Sequence, residues 1–542
     1  MFQVGGREGH AITINDVLPA PLIRLREGQR VRLHVENRLN EDTSIHWHGL
    51  ILPFHMDGVP GISFPGIAPG ETFTYEFPIL QNGTYWYHSH SGLQEQLGHY
   101  GPLVIDPQGQ DPVGYDREHV IVLSDWTFLH PHQVIGKLKQ EGGYFNRQRL
   151  ALLGDPAENT MSAEDRQMWG AMRMDPTDIA DVTGSTYTYL INGHGPDDNW
   201  TALFQPGERV RLRIINASAM SIFNIRIPGL PVTVVQADGQ NVRPVEVDEF
   251  QISVAETYDV IVSPPDDRAY TFVAESIDRS GLARATLAPR LGMSAEVPPL
   301  RPRPLLSMRD MGMGGMDHAA MGHGAAASAA ACPPEHAAMG HCTPGAAGAE
   351  AGAEMTHDMR DTSLVPSTVT VGVGVDMIAP MPVDRTGDRP LGLEDEPHRV
   401  LTYHDLAPLT PFPDQRAPTR SVDIHLTGNM ERFMWSLDGR TLNDGTEPIR
   451  FARNERVRVN LINNSMMNHP IHLHGHFFEV VTGQAHGDPI KHTVNVMPGG
   501  MASFHLTADA PGDWAFHCHL LYHMHAGMMN VVTVRPLDDA GA

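Results

Sequence analysis

One strand-like segment occurs three times along this chain, and this repetition constrains the fold more than any other feature. The copies are EGQRVRLHVEN (27–37), PGERVRLRIIN (206–216) and RNERVRVNLIN (453–463). Each begins with a polar turn and then alternates apolar with polar side chains, as a half-buried β-strand does. A second segment recurs as PGETFTYEF, VAETYDVIV and PGGMASFHL. The sequence therefore predicts three copies of one β-sandwich unit.

The composition agrees with an all-β fold in several domains. The 542 residues exceed what one hydrophobic core supports, and 52 Gly with 43 Pro indicate many turns between short strands. We predict domain 1 at 1–112, domain 2 at 113–292 and domain 3 at 396–542. Residues 293–395 are rich in Pro, Ala, Gly, Met and His, which predicts a largely flexible insert.

The charge and the apolar runs exclude some classes of partner. A formal charge of −25 at pH 7 argues against nucleic acid and against an anionic membrane surface. No apolar run approaches the roughly 18 to 20 residues that a membrane span needs. The opening MFQVGGREGH lacks the features of a secretory signal, so we expect no signal peptide in this chain. We also expect a monomer.

Histidines occur in four motifs at matching places of the first and third repeats. HWHG and HSH fall in domain 1, HPIHLHG and HCH in domain 3, whereas domain 2 has NIRIPG and VAES at the matching places. An H-x-H motif on a strand places both imidazoles on one face, because side chains alternate. We therefore predict eight histidines between domains 1 and 3, too many for one metal ion. Imidazole alone leaves copper, zinc, iron or nickel open.

Cys518 narrows the choice of metal. It lies between His517 and His519 and must point to the opposite face of the strand, into a different site about 10 Å from theirs. A thiolate with two histidines and a distant methionine is the ligand set of a blue-copper electron-transfer site. The residues that supply it are His469, Cys518, His523 and Met528. Domain 1 has Ser89 in place of Cys518, which predicts one blue site per chain. Unconnected histidines would explain one H-x-H motif, but not four in matching places.

With these motifs the chain resembles the multicopper oxidases, and in particular their periplasmic copper-resistance protein A branch. The histidine motifs carry the resemblance together with LFQPGERVRLRIINASAM, PVEVDEFQISVAETYDV and HCHLLYHM. The resemblance implies three cupredoxin-like, Greek-key β-sandwich domains and a periplasmic location. It also implies four copper ions per chain, one of type 1, one of type 2 and two of type 3, with dioxygen as electron acceptor.

The same resemblance implies a role for each remaining histidine. The type 2 ligands would be His46 and His472. The type 3 ligands would be His48, His88, His90, His474, His517 and His519. Asp57, eleven residues after His46, stands where similar oxidases carry an acid that assists proton delivery, although an ordinary turn Asp before Gly is the alternative. Some relatives have a second acid directly after the type 1 histidine, where this chain has Met524.

Methionines suggest the electron donor. Residues 308–359 contain eight Met, five His and the two cysteines Cys332 and Cys342 among Ala, Gly and acidic residues. Thioethers are soft ligands that select Cu(I), whereas a linker of biased composition is the alternative. The candidate Cu(I) ligands are Met308, Met311, Met313, Met316, His318, Met321, His323, Met466, Met467 and Met524. The last three are equally explained as packing residues beside a metal site.

These features predict an enzyme that couples the oxidation of Cu(I) to Cu(II), in copper resistance, to the four-electron reduction of dioxygen to water. Two alternatives stay open. A laccase acting mainly on phenols would need an accessible apolar pocket beside His469 or His523. A copper-sequestering protein with secondary oxidase activity would have no need of the eight-histidine set.

Overall fold

The computed structural model describes residues 1–147, 161–313 and 359–536. Within these ranges the chain is built mainly from β-strands, which form three successive pairs of sheets after a short N-terminal hairpin of Phe2–Val4 and Arg7–Gly9. The prediction of an all-β fold is confirmed. We refer to the first, second and third sheet pairs in chain order.

The first sheet pair has a four-stranded and a two-stranded sheet. The four-stranded sheet contains, in spatial order, Ile23–Arg26, Tyr100–Asp106, Gly83–His88 and His46–His48; the other contains Arg30–Glu36 and Thr72–Pro78. Side-chain exposure alternates along Arg30–Glu36, where Val31, Leu33 and Val35 pack against the core. In the four-stranded sheet His46 lies opposite His88, so the two histidine motifs of this domain are neighbours.

The second sheet pair is larger, and several of its strands are buried along their whole length. Its six-stranded sheet contains, in spatial order, Thr188–Ile191, Arg117–Trp126, Val210–Asn216, Thr257–Val262, Val232–Ala237 and Gln240–Val247. Its five-stranded sheet contains Thr201–Leu203, Leu282–Ala288, Tyr270–Ser276, Phe223–Arg226 and Glu249–Ile252.

The third sheet pair carries the other histidine motifs. Its seven-stranded sheet contains, in spatial order, Met434–Leu437, Arg420–Asn429, Arg456–Asn463, Gly500–Thr507, Phe478–Val480 and Ile490–Lys491, with Val383–Asp384 paired to Gly500–Thr507. Its five-stranded sheet contains Ile449–Ala452, Met529–Arg535, Gly512–Cys518, His469–Leu473 and Thr493–Val496. In every sheet pair the strand from the first repeated segment pairs antiparallel with the strand from the second. The sequence repeats therefore correspond to one repeated structural unit.

Helices are few and short. The α-helices of the described residues are Pro131–Gln140, Ala163–Ala171 and Leu521–Ala526. The 3-10 helices are Phe54–Met56, Glu95–Leu97, Arg309–Met311, Thr362–Leu364, Tyr403–Asp405 and Leu442–Asp444. Pro131 begins its helix at a position where the missing N–H costs nothing. No helix in the described part of the chain has the length and apolar character to cross a membrane.

The described parts of the 293–395 segment pack against the second and third sheet pairs. Arg301 lies 2.5 Å from Glu249 and 2.7 Å from Glu275 of the second sheet pair, and Arg385 Nη1 donates to the Pro498 carbonyl beside the third at 2.9 Å. Several residues that the sequence singled out lie outside the described residues. These are Met316, His318, Met321, His323, Cys332 and Cys342.

Candidate metal centres

Cys518 and two histidines bring three potential metal-binding atoms together. Cys518 Sγ lies 3.6 Å from His469 Nδ1 and 3.9 Å from His523 Nδ1, and the two ring nitrogens are 3.2 Å apart. All three side chains are buried. Two imidazoles and a thiol at this spacing could bind a metal ion between them. We call Cys518, His469 and His523 the thiol site.

The local backbone explains how these residues meet. The strand Gly512–Cys518 pairs with His469–Leu473, and the helix Leu521–Ala526 then reverses the chain so that His523 returns to Cys518. The Met528 N–H donates to the His523 carbonyl at 3.0 Å, and the Met528 carbonyl accepts from the Cys518 N–H at 3.1 Å. Met528 is buried. The structure thus brings three ligand atoms of the predicted blue-copper set together, and backbone hydrogen bonds hold Met528 beside Cys518 and His523.

The outer nitrogens of both histidines are already engaged. His523 Nε2 lies 2.7 Å from Asp181 Oδ2, and His469 Nε2 lies 2.7 Å from Ser465 Oγ. Trp435 stacks on His523 with 3.9 Å between ring centroids. These contacts orient the rings so that each Nδ1 faces Cys518, in the way that outer partners usually fix metal-binding histidines.

The other eight predicted histidines form one cluster between the first and third sheet pairs. Their nitrogens fall into groups of three whose members all lie within 4.8 Å of one another. These groups are His46 with His48 and His472, His48 with His88 and His519, and His90 with His474 and His517. In the last group His517 Nε2 lies 3.0 Å from His474 Nε2 and 3.3 Å from His90 Nε2. We call these eight residues the histidine cluster.

The free nitrogens of the histidine cluster test whether it fits a metal. Six buried ring nitrogens of the histidine cluster have no hydrogen-bond partner among the described residues: His46 Nε2, His48 Nδ1, His88 Nε2, His472 Nε2, and Nδ1 and Nε2 of His519. An unpaired buried polar atom costs about 1 to 3 kcal/mol. Six in one cluster would destabilise the fold unless electron-pair acceptors such as metal ions bind them. The histidine cluster therefore fits the copper that the sequence predicts.

The tautomers and the protonation states of the clustered histidines also suit metal binding. Backbone carbonyls accept the Nδ1–H of His46, His472 and His517 at 2.7 to 2.9 Å, which leaves each Nε2 as a free electron-pair donor. Burial, followed by the neighbouring histidines, lowers the pKa of His48 and His474 well below the usual value. Burial also lowers the pKa of His517 to about 4. Neutral imidazole is the form that binds metals.

Burial favours the metal-binding form of the histidines but disfavours that of Cys518, which is the thiolate. Burial raises the pKa of Cys518 above its ordinary value. The thiolate is therefore disfavoured in this apolar surrounding unless a cation binds, and metal binding would release the proton. A buried cysteine of this kind is suited to metal binding rather than to nucleophilic chemistry.

Two buried acids contact the histidine cluster from outside. The Asp57 carboxylate accepts from His474 Nδ1 at 2.8 Å, and its Oδ1 lies 3.3 Å from His46 Nδ1. Glu95 Oε2 lies 2.9 Å from His88 Nδ1. Asp57 was predicted from the sequence, whereas Glu95 was not. The seven-residue step from His88 to Glu95 was the only available signal, since the 3-10 helix that turns Glu95 back was not predicted.

The predicted Cu(I)-binding methionines lie in several places. Met466 and Met467 are buried, and Ser465 beside them contacts His469 of the thiol site. Met311 and Met313 are buried in the described start of the Met/His-rich segment, whereas Met308 and Met524 are partly buried.

A cavity of about 210 Å³ lies where the described chain resumes after residue 358. Its lining residues are Met359, Arg360, Val375, Asp376, Met377 and Ile378. Burial raises the pKa of Asp376 to about 6. Two methionines, an aspartate and an arginine therefore line one small cavity. Sequence spacing did not single out Met377, because it follows the Met/His-rich segment and sits in an ordinary-looking VDMIAP stretch.

Comparison with known proteins identifies the family. Models of the multicopper oxidase domains match residues 2–110, 117–290 and 415–538. The chain is 50% identical to copper resistance protein A of Escherichia coli and 49% identical to its homologue in Pseudomonas syringae pv. tomato, each over 98% of this chain and 90% of the relative. It shares its fold with the laccase of Botrytis aclada, with a TM-score of 0.62 and 21% identity over 96% of this chain and 84% of the laccase. These matches confirm the predicted cupredoxin-like domains. The chain belongs to the multicopper oxidase family, and it is a copper-dependent oxidoreductase.

Proposed function

We propose that the protein oxidises Cu(I) to Cu(II) in copper resistance and passes the electrons to dioxygen, which becomes water. In this proposal the thiol site with Met528 holds the type 1 copper, His46 and His472 hold the type 2 copper, and the rest of the histidine cluster holds two type 3 coppers. When bound, the four coppers would supply one-electron acceptors and the four electrons that dioxygen requires. The protein would act as a monomer in the periplasm, a location supported by the resemblance to the copper-resistance branch.

The burial of the thiol site is the main observation in favour of Cu(I) as the substrate. His469 and His523 are both 0% exposed. Their outer nitrogens contact Ser465 and Asp181, and Trp435 covers the face of His523. A phenol that had to touch either ring would therefore displace buried residues. A metal ion that donates its electron from a neighbouring site needs no such contact, so the geometry favours Cu(I) over phenols.

The methionine cavity gives such a neighbouring site. Its thioethers, from Met359 and Met377, are ligands that select Cu(I). Two residues after Met377, the Ala379 N–H donates to Asn464 Oδ1 at 3.1 Å. Asn464 is followed directly by Ser465, whose hydroxyl contacts His469. A short run of contacts thus connects the cavity to the thiol site, which supports it as a place for the substrate ion.

Asp57 has the position that a proton-holding group needs. Its Oδ1 has no hydrogen-bond partner within the described chain, while its Oδ2 is anchored by His474. We propose that Oδ1 holds a proton for the reduction of oxygen, since it lies at the histidine cluster and is shielded from bulk water. The carbonyl of the same residue orients His46.

The test compares the oxidation of two substrates by the parent protein, by one double variant and by a control variant. The protein is mixed anaerobically with Cu(I) or with a phenol under matched conditions, oxygen is then admitted, and its uptake is measured. The parent is compared with the double variant Met359→Leu, Met377→Leu. We expect the variant to lose about tenfold in Cu(I) oxidation, because leucine keeps the volume but removes the thioethers. Phenol oxidation should stay within twofold. Met293→Leu, at the edge of the second sheet pair, is the matched control. Equal losses with both substrates, or none, would contradict the proposal.

A further inference from the structure

The second sheet pair supplies none of the predicted copper ligands, yet it shares a buried group of charges with the third. Lys491 Nζ lies 3.0 Å from Asp238 Oδ2 and 3.0 Å from Glu256 Oε1. Asp238 and Glu256 belong to the second sheet pair and Lys491 to the third. All three are at least 98% buried. We call them the buried triad.

Burying these three charged groups costs free energy. Each ion loses several kcal/mol of hydration, and an apolar replacement for a buried ion pair is often no less stable. The two carboxylates also outnumber the one lysine. Tyr403 Oη donates to Glu256 Oε1 at 2.7 Å, and the Thr257 N–H donates to Asp238 Oδ1 at 3.1 Å. The two carboxylates therefore accept hydrogen bonds from their neighbours, whereas Lys491 is held by its two ion pairs, and stability alone does not account for this arrangement.

Asp238, besides its contact with Lys491, also accepts hydrogen bonds from the backbone of the third sheet pair. Its Oδ2 accepts the N–H of His492 at 3.3 Å and the N–H of Thr493 at 3.2 Å. Asp238 sits in the hairpin turn between Val232–Ala237 and Gln240–Val247 with a φ of +46°, a conformation that Asp and Asn tolerate better than most residues. The turn thereby projects a carboxylate from one sheet pair onto the main chain of another.

The two residues held by Asp238 are the ones that orient two members of the histidine cluster. The His492 carbonyl accepts from His472 Nδ1 at 2.7 Å. Thr493 Oγ1 lies 3.2 Å from His472 Nδ1 and 3.4 Å from His48 Nε2. The imidazole of His492 also packs edge-on against His48, with 4.8 Å between ring centroids. A shift of residues 492–493 would therefore turn both rings.

We infer that Asp238 is a positioning residue for His472 and His48. It fixes the main chain at residues 492–493, and Lys491 and Glu256 fix Asp238 in turn. The second sheet pair thus takes part in building a copper site to which it gives no ligand. This inference rests on the proposed function in one respect, because it takes His472 as a ligand of the type 2 copper.

The test uses Asp238→Ala and Asp238→Asn in the full-length protein. Alanine removes both backbone contacts, whereas asparagine tolerates the turn and keeps one carbonyl oxygen to accept them. Glu275→Gln is the matched control, since Glu275 is an equally buried, ion-paired acid of the second sheet pair that contacts Arg301 and not residues 491–493. Copper per chain, the electron paramagnetic resonance signal of type 2 copper and the blue absorption of the thiol site are measured for each.

We expect Asp238→Ala to lose most of the type 2 signal while the blue absorption stays, with a loss of about 10- to 100-fold in affinity for that one copper. Asp238→Asn should retain more of the signal, and Glu275→Gln all of it. In the copper-free protein, hydrogen exchange of the His492 and Thr493 amides should speed up in Asp238→Ala only.

Two results would overturn the inference. The first is an alanine variant with a full type 2 signal and unchanged amide exchange. The second is a parallel loss of blue absorption and type 2 signal in both Asp238→Ala and Glu275→Gln, which would mean that any buried charge of this sheet pair acts through overall stability. A parent protein that binds copper but shows no type 2 signal would instead contradict the ligand assignment under the proposed function.

Discussion

Asp181 Oδ2 lies 2.7 Å from Nε2 of His523, and both side chains are buried. The residue precedes the strand Thr188–Ile191 of the second sheet pair, 342 positions before its partner in the chain. A carboxylate that accepts this N–H increases the electron density on the ring and the basicity of Nδ1, the nitrogen that faces Cys518. The part of the chain that forms the second sheet pair therefore contacts the thiol site directly and the histidine cluster through residues 492–493.

Replacing Asp181 should change the reduction potential of the thiol site. Burial raises the pKa of Asp181 to about 8, so the effect is expected above pH 8, where the carboxyl is ionised. In Asp181→Asn the ring then loses its anionic partner, so Cu(II) is stabilised less and the potential should rise, by about 60 mV for a tenfold change in relative affinity. A redox titration followed at the blue absorption measures it. Asp278→Asn is the control, because Asp278 is a buried acid of the same sheet pair that contacts Ser280. A potential that is unchanged in Asp181→Asn, or equally raised in both variants, would contradict the expectation.

Cys518→Ser should remove the intense visible absorption and abolish turnover with every substrate. A serine hydroxyl is a much poorer ligand for copper than a thiolate, so the chain should also lose about one copper. Absorption spectra and metal analysis measure both losses. The double variant Cys332→Ser, Cys342→Ser removes the other two cysteines and should stay blue and active. A blue, active Cys518→Ser protein would end the assignment of the type 1 site.

The sequence predicted the parts of the site that depend on local periodicity. Alternation along a strand was enough to separate Cys518 from His517 and His519, and the structure places Cys518 with His469 and His523 but His517 with His474. The repeated segments likewise predicted which strands form equivalent pairs in the three sheet pairs. Both inferences need only the geometry of a single strand.

The partners of those residues could not be predicted in the same way. Asp181, Asp238 and Glu256 meet residues of the third sheet pair that are more than 200 positions away. Each is an ordinary acid in an ordinary turn or loop of the sequence. Only the packing of the sheet pairs against one another brings them to His523 and Lys491, and a single sequence carries no periodic signal for that packing.

Removing the Met/His-rich segment should depress Cu(I) oxidation more than phenol oxidation. Replacing 314–358 with a short Gly/Ser linker leaves the flanking residues in place, since Met313 bridges to Met381 and the Met359 carbonyl accepts from Ile378. Thioether and imidazole ligands would be lost without touching the thiol site. Initial rates with both substrates measure the effect. A second variant of native length, with Met and His of the segment changed to Gln, separates ligand loss from shortening. Equal losses with Cu(I) and the phenol would argue against a role in delivery.

The unfolding free energy should depend on pH through Asp438. Burial raises the pKa of this carboxyl to about 6, against about 4 in an unfolded chain. Between these values the folded state holds a proton that the unfolded state has lost, so this contribution to stability is complete below pH 4 and disappears as the pH rises through 6. With part of the side chain solvated, we expect about 1 to 2 kcal/mol. Asp438→Asn should remove it, because the amide still accepts the His425 N–H and asparagine suits the φ of +52°. Urea unfolding of the copper-free protein from pH 4 to 7 measures the difference between the two proteins, and an identical slope in both would show that Asp438 does not carry the effect.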